Sequence, residues 1–189
     1  SSPPAMPTWS NYFDLGTFTL NGVSTVSNCA GGGSTAAINT LPASTTNAYS
    51  NYTTTANYTL ITVGATVPWE IIFSGDNLGS TYPMGYAIFI DFNRNGTFET
   101  AERIAFSPTT INHYTGTSCT FTTVNGTFTA PNTMSTGPAL CRVIVSYAAT
   151  PTSATASYNY GETEDYAIFL GKKKWDYALV SQTNPDSIS

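Results

Sequence analysis

Oxygen-bearing side chains recur at regular spacing in the twelve residues DFNRNGTFETAE, Asp91 to Glu102. Counted from the start of this stretch, they occupy the first, third, fifth and ninth positions, which are Asp91, Asn93, Asn95 and Glu99. Gly96 stands sixth, where a loop around an ion turns sharply, and Glu102 stands twelfth, where a bidentate carboxylate is used. Together with the Thr97 carbonyl, these groups approach the roughly six to eight oxygens that calcium prefers. The spacing predicts a Ca2+ site.

The residues before this loop, GYAIFI, have the apolar run of a β-strand, whereas an EF-hand loop lies between two helices. Glu102 is therefore the least secure ligand, because no exiting helix returns it to the ion. The alternative interpretation is a turn rich in Asn and Asp after a strand, since short polar side chains also favour tight turns.

A second acidic group lies in GETEDYAIFL, where Glu162, Glu164 and Asp165 lead directly into an apolar strand. Six of the eleven Asp and Glu residues fall in these two stretches. Carboxylates at the mouth of a buried strand repel each other and lose solvation. Four arrangements remain open: a bound cation, hydrogen bonds from a loop, an exposed acidic turn, or a buried salt bridge to Arg103 or Arg142.

The composition favours an all-β protein. Only 9% of the residues are charged, while 41% are apolar and 13% aromatic, so there is ample material for a core. Thr and aromatic residues favour strands, and the long helix-forming side chains are scarce. Many short strand signals separated by turn residues predict a β-sandwich of jelly-roll type with antiparallel strands. Nine segments carry these signals: YFDLGTFTL, AYSNYTTT, NYTLITV, WEIIFS, YAIFIDF, ERIAFS, CTFTTV, LCRVIVSYA and EDYAIFL.

We expect two parts in the chain: a β-sandwich domain over residues 1–171 and a tail, extra strand or linker over residues 172–189. Residues 28–48 are predicted to form a long loop because they are rich in Gly, Ser and Thr.

A net charge of −5 argues against nucleic acid and anionic membranes as partners, and no apolar segment is long enough for a membrane-spanning helix. The three cysteines, Cys29, Cys119 and Cys141, do not have zinc-site spacing. They are predicted to form one disulfide and leave one buried thiol, and the sequence does not choose the pair.

We predict that the chain is not an enzyme. The one histidine, His113 in NHYTG, has no nucleophile elbow to accompany it, and a loop histidine is usually structural or exposed. Glu162 and Glu164 are better placed for metal binding than for glycoside hydrolysis.

The two acidic signatures together resemble the GEVED domain, which is named for a Gly-Glu-Val-Glu-Asp run. Further segments agree in order, among them LGTFTLNGVSTVSNCAGG and GPALCRVIVSY, so the resemblance covers roughly residues 12–170. Thr163 stands where the name has Val. The resemblance implies an extracellular β-sandwich module of secreted or surface proteins, with no catalytic activity.

The function that follows is a calcium-stabilised structural or adhesive module of a secreted or cell-surface protein or filament. Its partners would be neighbouring domains or copies of itself in a surface assembly. The alternative is a carbohydrate-binding module that uses exposed aromatic side chains, and a glycan array would distinguish the two.

We expect the Asp91–Glu102 loop to form most of the calcium site, with Glu162, Glu164 and Asp165 as co-ligands or anchors beside it. In this hypothesis the ion clasps the ends of the two strands YAIFI and EDYAIFL.

Overall fold

The computed structural model describes residues 14–27, 40–41, 49–54, 59–75, 79–115, 120–158 and 160–172. These residues form twelve strands and one short 3-10 turn, and no α-helix occurs among them. The all-β prediction is confirmed. The predicted tail after residue 172, together with Cys29 and Cys119, lies outside the described residues, and the domain boundary stays a prediction.

The strands form two sheets. The five-stranded sheet has the order β10-β6-β1-β2-β3, with bounds β1 (Asp14–Leu20), β2 (Val23–Ser27), β3 (Thr40–Leu41), β6 (Thr66–Gly75) and β10 (Thr120–Thr129). The seven-stranded sheet comprises β4 (Tyr49–Tyr52), β5 (Thr59–Thr62), β7 (Ser80–Ile90), β8 (Arg103–Phe106), β9 (Ile111–Thr115), β11 (Gly137–Tyr147) and β12 (Gly161–Gly171). Its central order is β12-β11-β7, with β4 and β5 beside β12 and β8 and β9 beside β7.

The prediction of antiparallel strands is confirmed for most of the described pairings, but the sheets are mixed because three pairings are parallel. β4 and β5 both pair with β12 in parallel, and β2 pairs with β3 in parallel. β4 lies beside residues 163–166 of β12 and β5 beside residues 168–171, so the two short strands lie end to end along one edge.

The main core lies between the two sheets. Every second residue along a strand contributes a side chain to it, for example Trp69, Ile71 and Phe73 of β6. This is the period of two expected of strands that have one buried face. The rings of Phe18 in β1 and Tyr166 in β12 lie 5.2 Å apart, and those of Trp69 in β6 and Tyr86 in β7 lie 5.5 Å apart. These contacts between rings of opposite sheets show that the sheets pack face to face.

A second, smaller core covers part of the outer face of the seven-stranded sheet. It contains Ala87 and Phe89 of β7, Ile144 of β11, and Ala154 and Tyr158 of the segment that leads to β12. Both faces of β12 are therefore buried from Gly161 to Tyr166. Farther along, Phe169 is exposed, so the covering on the outer face ends there.

Candidate calcium loop and buried acidic motif

The loop 91–102 begins at the end of β7 and turns back on itself within six residues. Asp91 is buried at the end of the strand, and the backbone then takes positive φ angles of 61° at Arg94 and 80° at Gly96. Glycine adopts such angles without steric cost, and a Cβ at Gly96 would meet no atom within 4 Å. Gly96 is therefore required by the turn of the backbone and not by crowding, as the sequence pattern predicts.

Asp91 holds the middle of the loop through both carboxylate oxygens. Its Oδ1 accepts the N–H of Asn95 at 3.1 Å, and its Oδ2 accepts the N–H of Gly96 at 3.0 Å. Asn93 Oδ1 also accepts the Asn95 N–H at 2.9 Å, and Asn95 Oδ1 accepts the Thr97 N–H at 2.7 Å. The loop is thus a succession of turns closed by Asp and Asn side chains.

Glu102 folds back onto the loop, although its role as the least secure ligand stays a prediction. A single 3-10 turn, Thr100–Glu102, is sufficient, and it leaves the Glu102 side chain buried. Glu102 Oε1 accepts the N–H of Asn93 at 3.2 Å, and Oε2 accepts the N–H of Glu99 at 3.1 Å. The third, ninth and twelfth positions of the loop are thereby brought together.

Glu99 and Glu102 form a strained pair of acids. Burial, followed by the neighbouring Glu99 carboxylate, raises the pKa of Glu102 to about 7. Hydrogen bonding to Glu102 and then to Asn95 lowers the pKa of Glu99. The side-chain amides of Asn95 and Asn93 donate to Glu99 at 2.6 and 3.1 Å. One proton or one bound cation would therefore reduce the repulsion between the carboxylates of Glu99 and Glu102.

The arginines near the loop do not neutralise these acids. Arg94 points away from them, and its Nε donates to the carbonyl of Pro138 at 2.8 Å while Nη1 donates to the carbonyl of Thr136. Arg103 donates to the carbonyl of Pro151 at 3.2 Å and stacks on Phe106. In the described part of the chain, neither of these two arginines is paired with Glu99 or Glu102.

The donor set fits a hard cation such as calcium, because three carboxylates and two amide oxygens lie along one loop. Among the described residues, however, no three His, Cys, Asp or Glu side chains are arranged to hold a metal ion. The loop oxygens accept N–H groups instead. A bound ion would therefore rely on Asn oxygens and on backbone carbonyls such as that of Thr97 as well as on carboxylates.

The second acidic group begins at Gly161, where only glycine fits. Its φ is +139°, and a Cβ there would lie 2.1 Å from the carbonyl oxygen of Val145 on β11. This close approach starts the pairing of β12 with β11, in which Ser146 lies opposite Gly161. The glycine of the motif is therefore a packing requirement.

Glu162 connects the two sheets. It is 2% exposed and points between them, where Oε2 accepts the N–H of Leu15 at 3.0 Å and Oε1 accepts the hydroxyl of Ser50 at 3.0 Å. The pairing of β1 with β6 shifts register between Leu15 and Thr17, as in a β-bulge. Glu162 therefore bonds a backbone N–H of β1 beside this irregularity.

Glu164 also points into the main core, where it accepts the hydroxyl of Tyr166 on the same strand. It is 1% exposed, and the aromatic ring of Tyr166 lies against those of Phe18 and Tyr52. Burial, followed by the charge of Glu164, raises the pKa of Tyr166 well above its usual range. Glu164 is therefore part of an aromatic core, away from solvent.

Asp165 points to the opposite face and forms a buried salt bridge with Arg142. The guanidinium binds it through two hydrogen bonds, Nε to Oδ1 at 2.6 Å and Nη2 to Oδ2 at 2.7 Å. Arg142 Nη1 donates to the carbonyl of Ala154 at 2.9 Å, and the Tyr49 hydroxyl donates to Asp165 Oδ2 at 2.9 Å. Burial alone would lower the pKa of Arg142, but the hydrogen bonds and charge of Asp165 raise it. Of the arrangements left open by the sequence, this is the salt bridge to Arg142.

The structure thus gives the two acidic groups separate partners, and the expected clasp between them stays a prediction. Glu162 and Glu164 face the main core, and Asp165 faces the outer small core, so the three carboxylates do not share one direction. Their oxygens bond to a backbone N–H, hydroxyl groups and Arg142. As co-ligands of an ion in the Asp91–Glu102 loop they have no supporting contact in the described part of the chain.

The Glu162 carboxyl makes the stability of the fold depend on pH. Burial raises its pKa to about 7, from a usual value of 4.5. The folded state therefore binds this proton more tightly than the unfolded state, and the stabilisation is complete below pH 4.5 and lost as the pH rises to about 7. We expect the free energy of unfolding to fall by about 3 kcal/mol over this range from Glu162 alone.

Urea unfolding of the wild type and of Glu162→Gln at pH 5 and pH 7.5, without calcium, measures this effect. The neutral variant keeps the shape of the side chain, so its unfolding free energy should change less between the two pH values. An equal change in both proteins would show that Glu162 does not titrate in this way.

Of the three cysteines, only Cys141 lies among the described residues. Cys141 is a free, fully buried thiol in the main core, and burial raises its pKa. Cys29 and Cys119 lie outside the described residues, so their pairing stays a prediction.

Two residues of the site, Tyr49 and Phe98, were not identified from the sequence. Tyr49 bonds to Asp165, and burial together with this carboxylate raises the pKa of Tyr49 to about 12. Phe98 of the loop packs on the outer small core. His113 lies in strand β9 rather than in a loop, and it is buried with Nδ1 bonded to the Thr122 hydroxyl at 2.8 Å. Only the apolar character of Phe98 inside a polar loop was a usable signal.

A two-sheet all-β module with a polar loop beside a buried acidic motif is the class of protein that this fold and site define. Residues 85–169 match the family model described as the GEVED domain. The match spans β7 to β12 and includes both the loop and the acidic motif. The resemblance inferred from these two signatures is confirmed, and an extracellular type of module is what the family indicates.

Solved structures with a similar arrangement are distant. A family 123 glycoside hydrolase from Clostridium perfringens has 10% identity and a TM-score of 0.40, and covers 66% of this chain and 23% of its own. A CARDB domain from Pyrococcus furiosus, solved in complex with di-metal ions, has 14% identity and a TM-score of 0.37, over 61% of this chain and 87% of its own. The chain thus spans less than a quarter of the hydrolase, and likenesses this low carry no functional argument.

No curated protein matches the sequence at a significant level. In the described residues, no helix has the length and apolar character required to cross a membrane.

Proposed function

We propose that this chain is a calcium-stabilised structural or adhesive module of a secreted or cell-surface protein or filament. Its partners in this proposal are neighbouring domains or further copies of itself. The GEVED match supports the extracellular setting. The observation that carries the calcium part is the geometry of Glu99 and Glu102, which the loop brings together while the neighbouring arginines donate to backbone carbonyls.

Calcium would act here as a structural ion. The loop joins the central strand β7 to the edge strand β8, and an ion bound by Asp91 and Glu102 would fix the two ends of the loop to each other. Asp91 would supply charge at the strand end, Asn93 and Asn95 neutral oxygens, and Glu99 and Glu102 the remaining charge. No reacting group is required of any of these residues.

Thermal and urea unfolding of metal-free protein, with and without calcium, tests the proposal. Measurements at pH 8 keep Glu102 ionised. We expect calcium at about one hundred times its dissociation constant to raise the free energy of unfolding by about 2.7 kcal/mol, because the ion binds the folded state only. Asp91→Ala should abolish this increment, since it removes the charged ligand at the start of the loop.

Magnesium is the matched ion for this test, because it has the same charge but prefers a smaller octahedral site. It should give a smaller increment than calcium. Equal unfolding midpoints with and without millimolar calcium would contradict the proposal.

Carbohydrate binding is the second candidate, and one observation favours it. The rings of Tyr82, Tyr147 and Tyr160 form a chain of edge contacts, each pair 5.9 Å apart, at one end of the seven-stranded sheet. A cleft of about 350 Å³, lined by Tyr147 and Tyr158 among others, lies beside it. Aromatic rings beside a cleft are able to stack on sugars. Selective binding on a glycan array that is lost in Tyr147→Ala would support this second candidate.

A further inference from the structure

Phe98 is the one large apolar side chain in the second half of the loop, and it points toward the body of the protein. Its ring centroid lies 6.2 Å from that of Phe89 on β7, and it packs against the outer small core. The adjacent backbone is fixed by the loop itself, since the N–H of Thr97 donates to Asn95 and the N–H of Glu99 donates to Glu102. The position of Phe98 therefore depends on the same groups that would hold the ion.

The other side of Phe98 meets the buried salt bridge. The Arg142 guanidinium carbon lies 5.2 Å from the Phe98 ring centroid, within the range of a cation–π contact. The same guanidinium binds Asp165 through two hydrogen bonds. Phe98 thus covers one part of the Arg142 side chain, and Asp165 bonds another.

We infer that Phe98 couples the calcium loop to the acidic motif, through Arg142 and Asp165. This inference rests on the proposed calcium site. It explains how the two signatures of this domain cooperate without sharing an ion: the loop positions an aromatic ring on the arginine that the motif requires. Phe98 is accordingly a positioning residue for the loop, and it binds no metal itself.

Coupling of this kind is reciprocal. If the packing of Phe98 on Arg142 favours the loop conformation that binds calcium, then calcium must favour that packing by the same factor. The bound ion should therefore protect the backbone around Arg142 and Asp165, although neither residue touches it.

Calorimetric calcium titration of the wild type, Phe98→Ala and Phe98→Tyr tests the inference. Loss of the ring should weaken calcium binding about tenfold, and Phe98→Tyr, which keeps the aromatic face, should restore it to within about twofold of the wild type. Phe106→Ala is the matched control, because Phe106 is a similar ring stacked at 4.1 Å on the guanidinium of Arg103, and it should leave the affinity unchanged.

Hydrogen exchange followed by mass spectrometry provides the second readout. Calcium should slow exchange of residues 140–146 and 162–166 in the wild type but not in Phe98→Ala. This measurement separates coupling from a general loss of stability, which would accelerate exchange with or without the ion.

The outcomes distinguish the two proposals. A wild type that binds no calcium overturns both the proposed function and the coupling. A wild type that binds calcium, with Phe98→Ala folded and within twofold of its affinity, leaves the proposed function standing and overturns the coupling.

Discussion

Replacing Asp165 by alanine is expected to lower the free energy of unfolding by about 3–5 kcal/mol, because it leaves the Arg142 guanidinium charged and buried without its partner. Arg142 is 1% exposed, and two of its hydrogen bonds end on Asp165. Urea unfolding measures the loss. Since small domains are stable by only about 5–15 kcal/mol, the loss would be a large fraction of the total stability.

The double variant Arg142→Met with Asp165→Val is the control for this prediction. Apolar side chains that replace both charges leave no ion unpaired, so we expect the double variant to recover most of the loss. If Asp165→Ala alone costs less than about 1 kcal/mol, the salt bridge is not the role of the third acid in the motif.

Gly161→Ala is expected to have the second large effect, about 4 kcal/mol of lost stability. Two costs add: a side chain at φ +139° strains the backbone, and its Cβ would lie 2.1 Å from the Val145 carbonyl oxygen. The β11–β12 pairing must shift to remove this clash. Thermal unfolding, or the yield of folded protein where the loss is complete, measures the effect.

Gly22→Ala is the matched substitution. Gly22 also has a positive φ, of 79°, but a Cβ there would have no atom within 4 Å. The Gly22→Ala substitution should lower the free energy of unfolding by about 1–2 kcal/mol, from the strained backbone conformation alone. Equal losses for the two variants would show that crowding at Gly161 contributes nothing.

Much of the fold could be predicted because alternation of side chains is visible in the sequence. All nine predicted segments contain strands, including the central β7, β11 and β12. The short strands β2 and β9 were missed. In β9 the buried residue at the middle is His113, so the inward face does not have an apolar pattern. The predicted loop 28–48 contains the two-residue strand β3, which is too short to leave a pattern.

The parallel pairings could not be predicted, because they depend on how the chain crosses between the sheets. β4 and β5 carry ordinary strand signals, and nothing in their residues specifies that both lie beside β12 in the same direction. The hydrophobic pattern of a strand determines which of its faces is buried, but it does not determine which strand lies beside it.

In the candidate site, too, local features could be predicted from the sequence and long-range partners could not. The spacing of donors in the loop is local, so its assembly around Asp91 and Glu102 could be predicted from the sequence. The partner of Glu162 is a backbone N–H at Leu15, 147 positions away, and a backbone group leaves no signal in the sequence. For Asp165 the sequence left Arg103 and Arg142 open. The strand pairing decides between them. Arg142 in β11 lies directly opposite Asp165, whereas Arg103 lies in β8, which pairs with β7 and not with β12.

The motif acids and the loop therefore have different roles in this account. Gly161, Glu162 and Asp165 hold strands and sheets together by packing, a hydrogen bond to β1 and a salt bridge. The loop is where an ion would act. Calcium binding should therefore depend on the acids of the loop and not on those of the motif.

The most direct measurement is the calcium dissociation constant of Glu102→Gln and of Glu162→Gln, each compared with the wild type by calorimetric titration. We expect one ion per chain, an affinity at least about tenfold weaker in Glu102→Gln because a charged ligand is lost, and an affinity within about twofold of the wild type in Glu162→Gln. Equal weakening in the two variants, or no calcium binding by the wild type, would contradict the account.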